Sequence, residues 1–343
     1  MPPSSKDSPG KGPGGSRKNV EQPPSAVIEQ ARAPAPHSPA LPPTSPPACL
    51  WPPPVRPGEA VAVAAPASPV SRQDWQAGVD ILRDWGFKVV SGPEVFQTRA
   101  WGRETDRELA RRFLEIWQEP EVKAILGARG GYGSLKVLPF LDLPALGAQP
   151  KRLVGFSDLT NLLWRLHRDL GLVTFHGPTV AHLPVLTPGA RESFLYWLTA
   201  PGPQTVAFPG LTTLLPGTGE GTLAGGNLTT LCHLLGTPFA PRFQDHILFL
   251  EDHNEAVYRL DRLLHHLLLA GALEGVKGVV LGAFTGSGSS RDNLREVLTA
   301  AFAPLQVPVL AGLPVGHQPD NHTLPLGVWA RVDGQAGSLT LAP

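Results

Sequence analysis

Cysteine is nearly absent. The 343 residues hold two, Cys49 and Cys232, too few for a disulfide framework or a thiolate zinc site. An excess of charge of one sign is missing as well. Twenty-nine Lys+Arg balance 29 Asp+Glu, so the chain carries no electrostatic footprint for nucleic acid or for an anionic membrane surface. No apolar h-region follows the early cations Lys6, Lys11, Arg17 and Lys18, which argues against a signal peptide and makes a cytoplasmic location the expectation. The apolar run at 60–67 (AVAVAAPA) is too short to span a bilayer and contains Pro66.

Proline, by contrast, is abundant. The chain has 39, and 17 of them fall in residues 1–57, against an average usage of roughly 5%. This first segment is rich in Pro, Ser, Ala and Gly and poor in large apolar residues. It cannot bury enough surface to offset its ordering entropy, so residues 1–54 are read as a disordered tail with polyproline II character. The whole chain is 42% hydrophobic, so the remainder can bury a core, and the length of 343 residues suggests two domains.

Periodicity then organises the chain. Strands are expected at 60–65, 87–90, 124–126, 152–156 and 173–175. Helical spacing covers 72–84, 104–118, 135–141 and 159–170. Strands alternating with helices in this way imply a parallel α/β sheet, here an N-terminal domain over 55–180. Between 181 and 216 the pattern breaks down among Pro, Gly and Thr, and this stretch reads as a linker in which 191–198 has helical character. A second domain, 217–343, has strands at 246–250, 276–283 and 307–310, helices at 257–269 and 292–301, and a terminal hairpin turned at Asp333-Gly334.

Four segments have the residue types for chemistry. Ala128-Arg-Gly-Gly-Tyr-Gly-Ser134 follows a strand, where glycines let the backbone approach a ligand and turn N–H groups toward an anion. Val154-Gly-Phe-Ser-Asp-Leu-Thr160 has the strand–turn–helix shape of a nucleophile elbow. Leu159 stands where such an elbow has its second glycine, and Ser157 or Asp158 could equally be a helix cap. Ile247-Leu-Phe-Leu-Glu-Asp252 ends in acids at the carboxyl end of a strand, which makes Glu251 a candidate to orient a histidine; a solvated acidic loop would have the same sequence. Gly312–His322 is a loop carrying His317, with His322 as a competitor. Ser157, Glu251 and His317 together form a possible Ser–carboxylate–His triad. A further glycine cluster, Gly217, Gly219, Gly221, Gly225 and Gly226 before Asn227, is a weak dinucleotide signal, and no histidine has metal-ligand spacing.

These segments resemble those of the LD-carboxypeptidase family, the serine peptidases that include muramoyltetrapeptide carboxypeptidase and the microcin C self-immunity peptidases. The match runs in order through Pro57-Gly58-Glu59, Ala128–Gly133, Gly155–Thr160, His176-Gly-Pro178, Gly225–Leu228, Leu250-Glu-Asp252 leading to Tyr258–Arg262, Gly312–His317 and Leu324–Gly327. The resemblance implies a flavodoxin-like N-terminal half, a β-rich C-terminal half and a site between them. It places the nucleophile on Ser157, the carboxylate on Glu251 with Glu255 as rival, and the base on His317. The oxyanion hole falls on the backbone of Asp158 and of the Gly130-Gly131 pair, Gly131 foremost. It further implies release of terminal D-Ala from a murein tetrapeptide, with no metal or organic cofactor. A microcin-type peptidyl-nucleotide amide is the alternative substrate, and a non-catalytic α/β binding module the alternative from another class. The expected assembly is a homodimer, without nucleic acid or membrane. His253, Asn254 and 318–322 are less typical of the pattern and leave substrate preference open.

Overall fold

The computed structural model describes residues 49–98, 102–202, 204–288 and 290–342; the tail expected at the N-terminus lies outside the described residues as far as residue 48. The last part of that expected tail is built into the fold. Leu50 bridges to Leu172, with its amide on the Gly171 carbonyl at 2.8 Å. Trp51 packs edge-on against Phe175 at 6.0 Å. The carbonyls of Pro52 and Pro53 accept from the guanidinium of Arg152, which is fully buried and also donates to the carbonyls of Trp197 and Ala200. Proline removes a donor but keeps its carbonyl, so these prolines serve as acceptors for a buried cation. That cation is paid for in basicity: burial pushes Arg152 down to about 10.

The first sheet holds β1 (Ala60–Ala64), β2 (Lys88–Val90), β3 (Val122–Gly127), β4 (Arg152–Gly155) and β5 (Thr174–His176), all parallel, in the order β2-β1-β3-β4-β5. This is the flavodoxin-like order, in which the winding direction reverses between β1 and β3 and ligands lie beyond the carboxyl ends of the strands. All five residues of β1 are buried. A strand covered on both faces reads as a continuous apolar run rather than an alternation, which is why AVAVA was legible.

The second sheet is mixed. It contains β6 (Val206–Phe208), β7 (Thr212–Leu215), β8 (Thr218–Asn227), β9 (His246–His253), β10 (Gly278–Thr285), β11 (Val309–Ala311), β13 (Trp329–Asp333) and β14 (Ser338–Ala342). Their order is β6-β14-β13-β8-β9-β10-β11-β7, parallel from β8 to β11 and antiparallel elsewhere. The remaining strand, β12 (Leu324–Leu326), leaves this sheet and adds antiparallel to β5 of the first. The architecture is therefore α/β, with a parallel-sheet N-terminal part and a β-rich C-terminal part. Among the described residues no helix is long and apolar enough to cross a membrane.

Three expectations need correction. The stretch 181–216 is structured: it holds the helix Pro188–Thr199 and strands β6 and β7, which form the two edges of the second sheet. The Thr, Pro and Gly that broke the periodicity are start signals, since Thr187 caps the helix through the Ala190 amide and Pro188 is its first residue. The helix expected at 135–141 is a single turn, Ser134–Val137, that continues as a 3-10 turn where Pro139 stands. The weak dinucleotide reading at 217–226 lapses, because those glycines lie in and beside β8, where Gly219 and Gly221 pair with β13.

Candidate active site

The serine turn is strained. β4 ends at Gly155, Phe156 is extended, and Ser157 sits at φ +61°, a left-handed conformation that costs a non-glycine roughly 1–2 kcal/mol. Such a residue persists only where its surroundings over-determine it, and here they do. The Leu159 amide turns back to the Phe156 carbonyl at 3.2 Å. The Asp158 carboxylate accepts from the Ser134 amide at 2.8 Å, and the Asp158 carbonyl accepts from the Ser134 hydroxyl. Burial raises the Asp158 carboxyl, against these Ser134 bonds. Behind the turn runs the helix Thr160–Leu170, and Thr160 Oγ1 accepts from the Asn227 amide at 3.1 Å. The last bond joins the serine turn to the end of β8.

The glycine loop after β3 lies directly over this turn. A Cβ on Gly130 would come within 2.9 Å of the Ser157 Cβ, so only glycine allows the backbone this close. The loop is clipped to the turn after β1, where the Ser68 amide donates to the Gly130 carbonyl at 3.1 Å and Ser68 Oγ accepts from the Tyr132 amide at 3.0 Å. Both loops sit at the reversal point of the sheet.

Glu251 and Asp252 are successive residues of β9 and so face opposite sides of the sheet. They share Asn227 Nδ2, which also lies 3.4 Å from Asp252 Oδ1, but their other partners differ. Glu251 is completely buried; its Oε1 accepts from Asn227 Nδ2 at 3.2 Å and its Oε2 pairs with His317 Nδ1 at 2.7 Å. Asp252 accepts from the amide and hydroxyl of Thr229, each at 2.8 Å. Burial raises the Glu251 carboxyl, but His317, His176 and Asn227 outweigh it and the net direction is downward. For Asp252 burial wins over the Thr229 bonds and the direction is upward. Glu251 thus keeps its charge because an imidazole faces it.

His317 hangs on the loop after β11. The preceding Gly316 has φ +123°, and a Cβ there would fall 2.9 Å from Glu251 Oε2, so the loop approaches the carboxylate through a residue that must be glycine. The Gly316 amide is held by Asn321 Oδ1 at 2.8 Å. The imidazole packs on Phe156 with ring centroids 4.6 Å apart, which brings it against the residue next to Ser157. A carboxylate can only accept, so Nδ1 carries the proton toward Glu251, and in the neutral imidazole Nε2 is the nitrogen with the lone pair.

Ser157, the Gly130-Gly131 loop and Asp158 therefore meet at the ends of the first sheet, and Glu251 and His317 form one hydrogen-bonded unit from the second. Glu255 is not part of it and lies 3.6 Å from Arg259. His322 is paired with Asp320 instead. Residues not singled out for roles in the sequence also stand here. Asn227 binds Glu251 while capping the short helix Leu228–Cys232, and its signal was an Asn between a strand and an apolar helix start. His176 is fully buried beside Glu251, and no ring-nitrogen partner is present among the described residues. Burial drives it down to about 4, so it is neutral at neutral pH. Among the described residues no cluster of three or more His, Cys, Asp or Glu is arranged for a metal ion.

A doubly wound sheet presenting a serine elbow, apposed to a second sheet presenting a carboxylate–imidazole pair, has the parts of a serine-type hydrolase. The profile of the LD-carboxypeptidase N-terminal domain matches residues 61–177, and that of the C-terminal domain matches 220–332. The chain belongs to the LD-carboxypeptidase family and is a serine-type carboxypeptidase; the reading as a non-catalytic binding module lapses. It is 40% identical over 291 residues to a protein of Streptomyces coelicolor that carries a carboxypeptidase name, covering 83% of this chain and 94% of that one. It is 33% identical over 304 residues to the microcin C7 self-immunity protein MccF of Escherichia coli, covering 79% and 88%. The structure of muramoyltetrapeptide carboxypeptidase from Oxalobacter formigenes superposes with a TM-score of 0.73 at 32% identity, covering 83% of this chain and 99% of that one.

Proposed function

We propose that the enzyme is an LD-carboxypeptidase that releases the terminal D-Ala of a murein tetrapeptide by a Ser157–His317–Glu251 triad. The observation that carries this reading is the 2.7 Å bond from His317 Nδ1 to the buried Glu251, with the same imidazole packed on Phe156 beside the strained Ser157. Ser157 Oγ adds to the carbonyl carbon of the L-centred residue as its proton passes to His317 Nε2. Glu251 stabilises the resulting imidazolium and does not itself take the proton. The tetrahedral oxyanion is received by the amides of Asp158 and of the glycine pair, Gly131 foremost with Gly130 beside it, at the start of a helix. Collapse breaks the C–N bond, and the departing D-Ala amine takes the proton from Nε2. Water then adds to the acyl-enzyme ester, gives its proton to Nε2, and the tripeptide leaves as Ser157 recovers its hydrogen. Nothing in these steps calls on a metal or organic cofactor.

Such a substrate fits peptidoglycan recycling and a cytoplasmic location; the assembly is read as a homodimer, with the segment before residue 49 dispensable for activity. The similarity to MccF supports a second substrate class, an aminoacyl or peptidyl nucleotide amide. Side-by-side kcat/KM values on a murein tetrapeptide and on an aminoacyl-sulfamoyl nucleoside decide between them. The proposal expects free D-Ala and a tripeptide, with kcat/KM at least tenfold in favour of the tetrapeptide. A preference for the nucleoside compound moves the enzyme to the immunity branch, and turnover of neither overturns the reading.

A further inference from the structure

His253, the last residue of β9, packs flat against His317: the two imidazole rings are 4.9 Å apart and 7° from parallel. It is not free to swing. Its Nδ1 lies 2.7 Å from Thr285 Oγ1, and Thr285 is its register partner on β10. The same hydroxyl donates to the His317 carbonyl at 3.2 Å. A hydroxyl has one hydrogen and a carbonyl can only accept, so that hydrogen goes to His317. Nδ1 of His253 must then be the donor to Thr285, which fixes its tautomer and leaves Nε2 bare. The backbone is pinned as well, because the His253 amide donates to Asp252 Oδ1 at 2.7 Å and the Asn254 amide to the Thr285 carbonyl at 2.8 Å.

We propose that His253 and Thr285 form a positioning unit for the catalytic base, holding the His317 ring by its face and its main chain by the carbonyl. Glu251 fixes only the in-plane direction of that ring, through one edge. The stacked imidazole fixes the plane itself and, while neutral, presents a π-face to the imidazolium that forms as Ser157 gives up its proton. The titratable groups facing His253 are His317, Glu251 and His182, which stacks on Phe156, with Asp252 bonded to its amide. Burial and then the charge of His317 lower the His253 pKa, with Glu251 opposing, so at neutral pH the unit is uncharged. The inference rests on the assignment of His317 as base and goes beyond it, since neither residue touches the substrate in the steps above.

The test compares Thr285→Val, Thr285→Ser, His253→Leu and His253→Phe with the wild-type enzyme on the tetrapeptide. Thr285→Val is expected to lower kcat about tenfold, the scale of one lost hydrogen bond, with KM within twofold, and Thr285→Ser to restore it. His253→Leu is expected to lower kcat likewise and to move the acid limb of kcat/KM by about half a pH unit, the scale of an exposed cation–π contact. His253→Phe keeps a ring over the base and holds the wild-type limb. Unchanged kcat in Thr285→Val and His253→Leu would overturn the proposal. So would equal losses in His253→Phe and His253→Leu with an unmoved limb, because that is the behaviour of a merely structural residue. The downfield NMR proton of the His317–Glu251 hydrogen bond needs no substrate and should exchange faster in Thr285→Val. A failure of the murein reading therefore leaves this inference separately testable, and an unaltered proton counts against it.

Discussion

The two halves of the site are held in opposite ways. The serine turn at 155–160 stores strain: a non-glycine residue at positive φ, lying under a glycine loop that has no room for a side chain. The carboxylate–imidazole corner at 251–253 and 316–317 has no non-glycine residue at positive φ. Each part of it is instead bound by partners on neighbouring elements: Asn227 and His317 on Glu251, Thr229 on Asp252, and Asn321 on the loop before His317. A serine needs an exposed oxygen in one direction, which a tight backbone turn supplies. A buried carboxylate needs its charge satisfied, which only side chains and amides supply. The single covalently continuous route between the halves is long, but Thr160 and Asn227 join them by one hydrogen bond.

This contrast predicts that loosening the corner costs activity, whereas relaxing the turn gains stability at the expense of activity. The largest effect should come from Glu251→Gln, which keeps the shape but loses the charge that orients and stabilises the imidazole. kcat for D-Ala release is expected to fall by about 10⁴, whereas Glu255→Gln stays within about threefold. Equal losses in both would break the distinction between the two acids.

A second effect concerns acid. His176 and His167 are buried and neutral, pushed down to about 4 and about 3 by burial. In the unfolded chain each takes a proton near pH 6.5. The unfolded state then binds more protons, so stability is full above pH 6.5 and falls as pH drops toward 4. Between pH 6.5 and 4.5 each histidine should remove about 2–3 kcal/mol. Urea unfolding of His167→Phe is expected to show a pH slope shallower than wild type by about one histidine's share. An unaltered slope would place the acid sensitivity elsewhere.

The smallest effect tests the strain. Ser157→Gly removes the left-handed penalty and should raise unfolding stability by about 1 kcal/mol while abolishing turnover. A destabilised Ser157→Gly protein would mean that the turn is held by the serine side chain rather than against it.

The turn was legible in the sequence because its determinants are local. A strand, Gly155, Ser157 and an apolar helix at 159–170 follow one another within a few residues. The five parallel strands were legible for the same reason, through alternating periods, whereas their flavodoxin-like order came from the resemblance. The pairing of Glu251 with His317 spans 66 residues; the residue types offered it only as a possible triad, and the resemblance favoured it, with Glu255 as rival, while His322 competed for the histidine place. The roles of Asn227, His253 and Thr285 were not legible, because they depend on the register of β8, β9 and β10. β9 runs on to His253, past the expected end at residue 250, and it does so because it pairs with Thr285. Residues 181–216 were misread for a third reason: cap and edge-strand residues resemble loop residues in composition.

The central claim is that a strained serine from one sheet is activated by a histidine from the other. The direct measurement is the site and rate of modification by a serine-reactive fluorophosphonate, mapped by peptide mass spectrometry on the wild-type enzyme and on His317→Ala. The account predicts one adduct per chain, on Ser157, forming at least a hundredfold more slowly in His317→Ala. An adduct on another residue, an equal rate in the variant, or no adduct on an enzyme that releases D-Ala would contradict it.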